Sequence, residues 1–242
     1  MTRNDHRSGG RVILITGATG DLGKVVAGRF AAAGDRLALA GTNLDRLTEV
    51  AGELGLEADR WLPAVGNLRQ ADEARAVAMA VRDRFGRIDA LVHLIGGWAG
   101  GTPVVDLDPD ELTTMLDQHL WTTLHMVQAV VPGMVEAGWG RVVAIMARSG
   151  LEASAKVASY GIAKAAEDTL LRSLARELAG TGVTVNLVTV GTIDEEHQRD
   201  AAPTARNATW TTPEEIAAAI SYLCSDEADS ITGARLPLDR RA

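Results

Sequence analysis

The sequence predicts an α/β fold in three layers, with a doubly wound parallel sheet of about seven strands between two layers of helices. Short apolar runs alternate with longer segments whose apolar residues recur at i, i+3 and i+4, which is typical of repeated βαβ units. Most of the short runs are apolar throughout, as expected for strands buried on both faces of a parallel sheet. A glycine-rich turn joins the first run to the first helical segment.

These patterns place the elements along the chain. Strands are predicted at residues 12–16, 36–40, 60–65, 90–95, 141–146, 184–190 and 234–238. Helices are predicted at Asp21–Ala33, Leu44–Leu54, Ala71–Phe85, Pro109–Ala137, Ala155–Ala179 and Pro213–Ser225. The polar stretch 194–212 is too long for a routine connection, and it is either a lid over a site or a loop without fixed structure. We expect a flexible N-terminus over residues 1–10 and one domain over residues 11–242.

Composition narrows the classes of function. Of the 242 residues 46% are hydrophobic and 23% are charged, which indicates a globular chain with a full core. The net charge of −8 argues against a nucleic-acid partner. We find neither an apolar run near the ~20 residues of a membrane span nor a signal peptide, so we expect a cytoplasmic protein without a membrane partner. The one cysteine, Cys224, fits a reducing compartment, and the histidines lack metal-ligand spacing, so no metal site is predicted.

The glycine-rich turn lies within "VILITGATGDLGKVV", and its glycines follow a GxxGxxG spacing. Gly17 permits the tight turn, Gly20 lets the backbone approach a pyrophosphate, and Gly23 lets the helix pack closely against the strand. The free N–H groups and the dipole of the first helical turn attract a diphosphate. In the first βαβ unit this motif predicts a Rossmann-type dinucleotide site. The cofactor-binding residues predicted for the turn are Gly17, Thr19, Gly20, Asp21, Leu22 and Gly23.

The end of the second strand is expected to contact the adenosine ribose, and Thr42 is the residue predicted there. The segment reads "LAGTNLDR", with no carboxylate for the 2′-OH of NAD and no adjacent base for the 2′-phosphate of NADP. Arg46 lies a turn further on and either reaches the phosphate or faces solvent. The missing carboxylate favours NADP over NAD, and both remain open.

Tyr160 and Lys164 lie four residues apart in a predicted helix, so their side chains share one face. A nearby ammonium favours the phenolate and lowers the phenol pKa from its ordinary value of about 10. A phenol tuned in this way donates or accepts the proton that accompanies hydride transfer at a carbonyl. The spacing alone is common by chance, so the pair needs support from elsewhere in the chain.

That support comes from several landmarks in order. With "TGATGDLG" and "YGIAK", the chain resembles the short-chain dehydrogenase/reductase family over nearly its full length, through "RFGRIDALVHLIG", "AVVPGM", "GRVVAIM", "LARELAGTGVTVNLVTVG" and "TPEEIAAAISYLCSDEADSITG". The resemblance implies an NAD(P)-dependent oxidoreductase that transfers a hydride between nicotinamide and a carbonyl or alcohol substrate. It implies Tyr160 as general acid/base and Lys164 as the group that lowers its pKa and holds the nicotinamide ribose. It also implies a homo-oligomer, a tetramer or a dimer, formed through the two longest helices.

The chain departs from the catalytic team of asparagine, serine, tyrosine and lysine that the resemblance implies. The serine position, thirteen residues before Tyr160, holds Ala147. Ser149 lies two residues on, and it is either a displaced stand-in, if the segment stays extended, or an ordinary turn serine. The asparagine position holds His119, which is either a proton relay or a hydrogen-bonded helix residue. The predicted catalytic residues are Tyr160, Lys164, Ser149 and His119.

Other family positions also differ. The "NNAG" landmark reads "HLIG", so only Gly96 is kept and the amides that brace the sheet are lost. The aspartate expected near adenine is Asn67, and Gly191 is retained after the sixth strand without its preceding proline. Beyond the glycine-rich turn, the predicted cofactor-binding residues are Thr42, Asn67, Leu68, Gly96, Tyr160, Lys164 and Gly191.

These departures leave two other functions open. One is a dinucleotide-binding but catalytically silent sensor or structural subunit, and the other is a non-redox enzyme on the same fold. The substrate is not identified by the sequence. Trp98, Trp121 and Trp210 line an apolar pocket or form core or subunit contacts, and Trp98 is the best placed because it follows the fourth strand.

Overall fold

The computed structural model describes residues 10–238 and contains one sheet in which every pair of neighbouring strands is parallel. The strand order is β3-β2-β1-β4-β5-β6-β7. The seven strands are β1 (Val12–Thr16), β2 (Arg36–Gly41), β3 (Trp61–Val65), β4 (Ala90–His93), β5 (Gly140–Ala147), β6 (Val183–Val190) and β7 (Arg235–Pro237). All seven predicted strands are confirmed, and so is the fold class.

Helices cover both faces of this sheet. They are α1 (Asp21–Ala32), α2 (Leu44–Glu53), α3 (Ala71–Phe85), α4 (Pro109–Leu116), α5 (Thr122–Glu136), α6 (Ala158–Glu177), α7 (Gln198–Ala201) and α8 (Pro213–Leu223). Buried residues of α1, α2 and α8 form one core with one face of the sheet. Buried residues of α3, α5 and α6 form a second core with the other face. The three layers follow from strands that are apolar on both faces, since each face must be covered.

The predicted helix Pro109–Ala137 is not continuous. One turn of π-helix, Asp117–Trp121, separates α4 from α5. Two threonines bind the backbone carbonyls of this turn: Thr122 Oγ1 donates to Gln118 O (2.7 Å) and Thr123 Oγ1 donates to His119 O (2.6 Å). Side-chain donors of this kind compete with the helical ladder, and π turns recur at functional sites. The turn holds His119, which is buried.

The sheet changes direction of winding between β1 and β4. From β1 the chain proceeds outward to β2 and β3, then returns to β4 on the other side of β1. Loops that leave neighbouring strands in opposite directions open a crevice at the carboxyl ends, and ligands of such folds bind there. The crevice lies beyond Thr16 and His93, the last residues of the two strands.

The polar stretch 194–212 has a defined structure. Ile193 forms a bridge with Thr211, and the Asp194 carboxylate accepts hydrogen bonds from the backbone of Gln198 and Arg199 at the start of α7. Arg199 binds both carboxylate oxygens of Glu215, which fastens the stretch to the start of α8.

The predicted flexible N-terminus, residues 1–10, lies outside the described residues except for Gly10, and so do residues 239–242. None of the helices within residues 10–238 has the length and apolar character needed to cross a bilayer.

Candidate active site

The glycine-rich turn after β1 has the geometry that its spacing predicts. Gly17 has a positive φ of 69°, which favours glycine. A Cβ on Gly23 would lie 2.3 Å from the Gly17 carbonyl oxygen, so only glycine lets α1 begin this close to the turn. A Cβ on Gly20 would meet only that same oxygen, at 3.5 Å, so the outer surface of the turn is open. Leu22 is buried in the core and contributes backbone rather than side chain to this surface.

The other predicted cofactor residues follow the carboxyl ends of the strands. Thr42 is exposed after β2, and Asn67 is exposed after β3, where its side chain accepts a hydrogen bond from the Arg69 backbone. Leu68 is buried, and its carbonyl lies 3.0 Å from the His125 ring nitrogen. After β6, a Cβ on Gly191 would meet nothing within 4 Å.

The residues present fit a dinucleotide. Gly20 and Gly191 leave open backbone at the carboxyl edge of the sheet, where a flat extended ligand needs close approach. Backbone N–H groups at the start of α1 attract a diphosphate. Asp21 is the opposing feature, because its exposed carboxylate occupies the first turn of α1 and disfavours a second negative charge.

His93 replaces the lost amide brace. Its ring lies between a hydroxyl at the end of β1 and one at the start of α5, with Nδ1 2.9 Å from Thr16 Oγ1 and Nε2 3.3 Å from Thr122 Oγ1. Thr16 Oγ1 also accepts from the Leu94 backbone. Burial lowers the pKa of His93 to about 3, with a smaller contribution from the Lys164 charge. A neutral imidazole therefore links β1, β4 and α5 beside the crevice.

His119 projects from the π turn to the loop after β4. A Cβ on Gly96 would lie 2.6 Å from His119 Cε1, so Gly96 is needed to admit this ring. His119 Nε2 lies 2.9 Å from the Gly97 carbonyl oxygen. Burial, followed by the Lys164 charge, lowers the pKa of His119 to about 4, so the ring is neutral. Since a carbonyl only accepts, Nε2 carries the proton and Nδ1 is an unprotonated acceptor without a hydrogen-bond partner within residues 10–238.

Tyr160 packs against His119, edge to face, with ring centroids 5.3 Å apart. Ser159 fixes the start of α6 because its hydroxyl donates to the Glu111 carboxylate on α4 (2.5 Å). Burial, followed by the Glu167 carboxylate, raises the pKa of Tyr160 to about 12. This direction is opposite to the lowering expected from Lys164, and its first cause is the burial of the phenol.

Lys164 is engaged within the protein. Its ammonium donates to the Ile145 carbonyl of β5 (2.9 Å) and to Glu167 Oε2 (2.8 Å). Glu167 is fully buried, and its other oxygen lies 3.1 Å from Thr123 Oγ1. The carboxylate also lies 3.9 Å from the unpartnered Nδ1 of His119. The lysine that was expected to tune the phenol is thus paired with a buried acid.

Glu167 was missed by the sequence reasoning, although the sequence carries a signal for it. The residue lies three positions after Lys164 and seven after Tyr160, so the three share one helix face. Ala163 and Leu171 are also buried along this helix. A carboxylate on the core-facing side of a helix is rarely buried without a partner, so this position indicates a buried ion pair. The signal was overlooked because Asp168 follows directly, and two adjacent acids in a sequence resemble a solvated pair of charges.

Ala147, at the family's serine position, and Ser149, its proposed substitute, lie in different local structures. Ala147 is the last residue of β5 and pairs with Val190 of β6. The chain does not stay extended beyond it, because Arg148–Gly150 forms a 3₁₀ turn. The Ser149 carbonyl packs on Gly161, and Ser149 lines a cavity of about 360 Å³ together with Leu151, Ile162 and other residues that do not include Tyr160. The extended geometry that a displaced stand-in requires is therefore absent, and Ser149 lies in a turn, as the other alternative predicts.

The structure thus brings Tyr160, Lys164, His119 and Gly96 together and adds Glu167. This group stands at the crevice where the glycine-rich turn after β1 and the loop after β4 meet. A doubly wound fold with a glycine-rich turn after β1 and a tyrosine–lysine pair on α6 is typical of oxidoreductases of the dinucleotide-binding α/β class.

Comparison with known proteins agrees with that class. Residues 11–206 match the family model described as short chain dehydrogenase. The chain belongs to the short-chain dehydrogenase/reductase family, as its motifs predict. It is similar to the (2S)-[(R)-hydroxy(phenyl)methyl]succinyl-CoA dehydrogenase subunit BbsC of Thauera aromatica, with 35% identity over 95% of this chain and 93% of that protein. It is also similar to an uncharacterized oxidoreductase of Staphylococcus aureus, with 30% identity over 88% of this chain and 90% of that protein.

Solved structures support the same family. A short chain dehydrogenase from Bacillus anthracis superimposes with a TM-score of 0.85 at 29% identity, over 95% of each chain. A short-chain type dehydrogenase/reductase from Mycobacterium ulcerans superimposes with a TM-score of 0.84 at 27% identity, over 95% of this chain and 88% of that one.

Proposed function

We propose that the chain is an NAD(P)-dependent oxidoreductase that reduces a carbonyl substrate, with Tyr160 as the proton donor. The observation that carries the proposal is the phenol at the crevice, packed on His119 and adjoining the loop that holds Gly96. With a pKa of about 12, this phenol is protonated at neutral pH, so it serves as an acid in carbonyl reduction. The reverse reaction needs the phenolate, which is scarce at that pH.

Each residue has a defined part in this proposal. A bound nicotinamide dinucleotide supplies the hydride. Tyr160 donates its proton to the oxygen of the carbonyl as negative charge develops there. His119 packs against the phenol ring and is neutral, so it orients Tyr160 without competing for the proton. Ala147 contributes no hydroxyl, and loss of one such donor typically lowers turnover by about 10²–10³-fold.

The test is turnover with and without the phenol. NADPH and NADH oxidation are followed over a panel of aromatic and aliphatic ketones and aldehydes with the wild type and with Tyr160→Phe. We expect measurable turnover that falls at least about a hundredfold in Tyr160→Phe, as for removal of a general acid. Background rates in both proteins would refute the proposal. Tyr222→Phe is the matched control, because that phenol lies on α8 and is exposed.

A dinucleotide-binding subunit without turnover is the second candidate. Ala147 favours it, because the serine hydroxyl of the family is lost. A similar protein is named as a subunit, so assembly with a different chain is part of this candidate. It predicts dinucleotide binding by calorimetry with no Tyr160-dependent turnover, so the same two proteins separate the candidates.

The cofactor, the assembly and the compartment are proposals as well. NADP or NAD is held by the open glycine surfaces, and the absence of a carboxylate at Thr42 favours NADP. We propose a homo-oligomer through α5 and α6, where Val135 and Ile162 are exposed apolar residues, and light scattering after gel filtration gives its mass. Trp98 is 66% exposed beyond β4 and is the proposed apolar contact for the substrate. A cytoplasmic location accords with the one buried, free cysteine.

A further inference from the structure

Glu167 is a buried acid for which the proposed function has no use. Its side chain is fully buried on α6, where one carboxylate oxygen accepts from Lys164 Nζ (2.8 Å) and the other lies 3.1 Å from Thr123 Oγ1. A buried carboxylate is costly unless it is paired, so this pair must be formed for the helix to pack. Glu167 is therefore a member of a buried ion pair and not a solvated surface acid.

The pair removes the charge of Lys164 from the phenol. Lys164 is nearly buried and has two of its three donors engaged, by Glu167 and by the Ile145 carbonyl. The ammonium of Lys164 and the carboxylate of Glu167 together carry no net charge. Attraction between an ammonium and a phenolate depends on a net positive charge, and a neutral pair supplies very little of it.

The remaining titratable groups do not restore that charge. His119 of the π turn and His93 of β4 are neutral, since burial lowers the pKa of each. Asp168, the next residue of α6, is held by Arg235 of β7 and lies 3.9 Å from Arg172. Of the ion pairs recorded for Glu167 within residues 10–238, the one to a charged cation is therefore that with Lys164.

We propose that Glu167 is a positioning residue of this site: it holds the Lys164 ammonium against β5, so that the phenol of Tyr160 faces a neutral pair and acts as a proton donor rather than as a base. The inference rests on the proposed function for its catalytic meaning. Its electrostatic content is measurable without turnover, so the two fail separately.

The experiment follows ionisation of Tyr160 directly. The chain contains two tyrosines, so Tyr222→Phe leaves Tyr160 as the one source of tyrosinate absorbance. The protein is titrated upward from neutral pH to the limit at which its far-ultraviolet circular dichroism is unchanged. We expect no tyrosinate below the ordinary phenol pKa of about 10. Tyrosinate below that pH in this protein would overturn the proposal, and this arm does not depend on any change at Glu167.

The second arm releases the lysine. Adding Glu167→Gln is expected to move the onset of tyrosinate formation downward by about one pH unit or more, because an unpaired ammonium then faces the phenol. Glu177→Gln makes the same chemical change at an exposed position of α6 and is expected to leave the onset in place. The proposal would be overturned if tyrosinate formation began at the same pH in the Tyr222→Phe protein and in the protein that also carries Glu167→Gln.

A third protein assigns the shift to the lysine. Lys164→Met combined with Glu167→Gln removes both charges, and we expect the onset to return to that of the Tyr222→Phe protein. An onset that stays lowered without the lysine would show that the neutral pair is not its cause and would overturn the inference. A protein that shows these shifts but reduces no carbonyl would lose the proposed function and retain the role of Glu167.

Discussion

Gly23→Ala tests whether the glycine-rich turn is built by close packing. The added Cβ would lie 2.3 Å from the Gly17 carbonyl oxygen and 2.8 Å from Ala18 Cα, whereas ordinary contacts begin at 3.4 Å. Both neighbours are backbone atoms, so the turn and α1 must separate by about 1 Å. Overpacking of this kind costs about 1–3 kcal/mol of the free energy of unfolding. We expect the Tm to fall by about 2–4 °C for each kcal/mol in a chain of this size.

The same substitution is expected to weaken dinucleotide binding. The displaced turn is the surface proposed for the diphosphate, and loss of one hydrogen bond there costs about 1–1.5 kcal/mol, or about tenfold in Kd. Titration calorimetry with NADP and NAD measures the change, and differential scanning calorimetry measures the Tm.

Gly52→Ala is the matched control for both measurements. Gly52 lies in α2, and a Cβ there would meet nothing within 4 Å. Alanine is favoured over glycine in a helix by about 0.5–1 kcal/mol, so this variant should be at least as stable as the wild type. A wild-type Tm and Kd in Gly23→Ala would refute the packing argument for the turn.

Three further predictions concern the site and its surroundings. Ala147→Ser restores a hydroxyl at the end of β5, and carbonyl reduction should rise by about 10²–10³-fold, measured as kcat. Asp21→Asn removes an exposed carboxylate from the first turn of α1, so calorimetry should show tighter dinucleotide binding and a weaker salt dependence. Burial lowers the His93 pKa from 6.5 to about 3, so the unfolded chain binds a proton below pH 6.5 that the folded chain does not. This group should therefore lower stability by about 1.4 kcal/mol per pH unit from pH 6.5 toward 3, and His93→Gln should reduce the fall of Tm between pH 7 and 5, with the part due to His119 remaining.

The sheet could be predicted from sequence because the apolar patterns that specify its strands are local. Each strand is a continuous apolar run, and runs with this character alternate with helices in only a few ways. The bounds of β1 are those predicted, and β4 is shorter by two residues because the chain turns at Leu94 into the loop that receives His119. The π turn was not predicted, since it depends on Thr122 and Thr123 binding carbonyls that a regular helix would use.

The site was predicted less well because its chemistry depends on which of several neighbouring side chains each charged group pairs with. Helix spacing brings Lys164 close to Tyr160, four residues before it, and equally close to Glu167, three residues after it. Burial decides between them, since an acid without solvent must find a cation, whereas a phenol in the same place stays neutral without one. The lysine therefore pairs with Glu167. The family pattern predicts a tyrosine and a lysine at positions 160 and 164, but it does not predict their protonation states.

The departures at Ala147, His119 and Glu167 act in the same direction. Glu167 cancels the charge of Lys164, and His119 is neutral and directs an unprotonated nitrogen toward the acid. With alanine at 147, no hydroxyl from that position lies beside the phenol to share its proton. The imidazole of His119 and the Lys164–Glu167 pair therefore add no net charge beside the phenol. Under the proposed function, the protonated phenol then donates to a carbonyl oxygen that becomes negative. For that reason the pH dependence of Tyr160 ionisation tests the proposed function more directly than the presence of the tyrosine–lysine motif does.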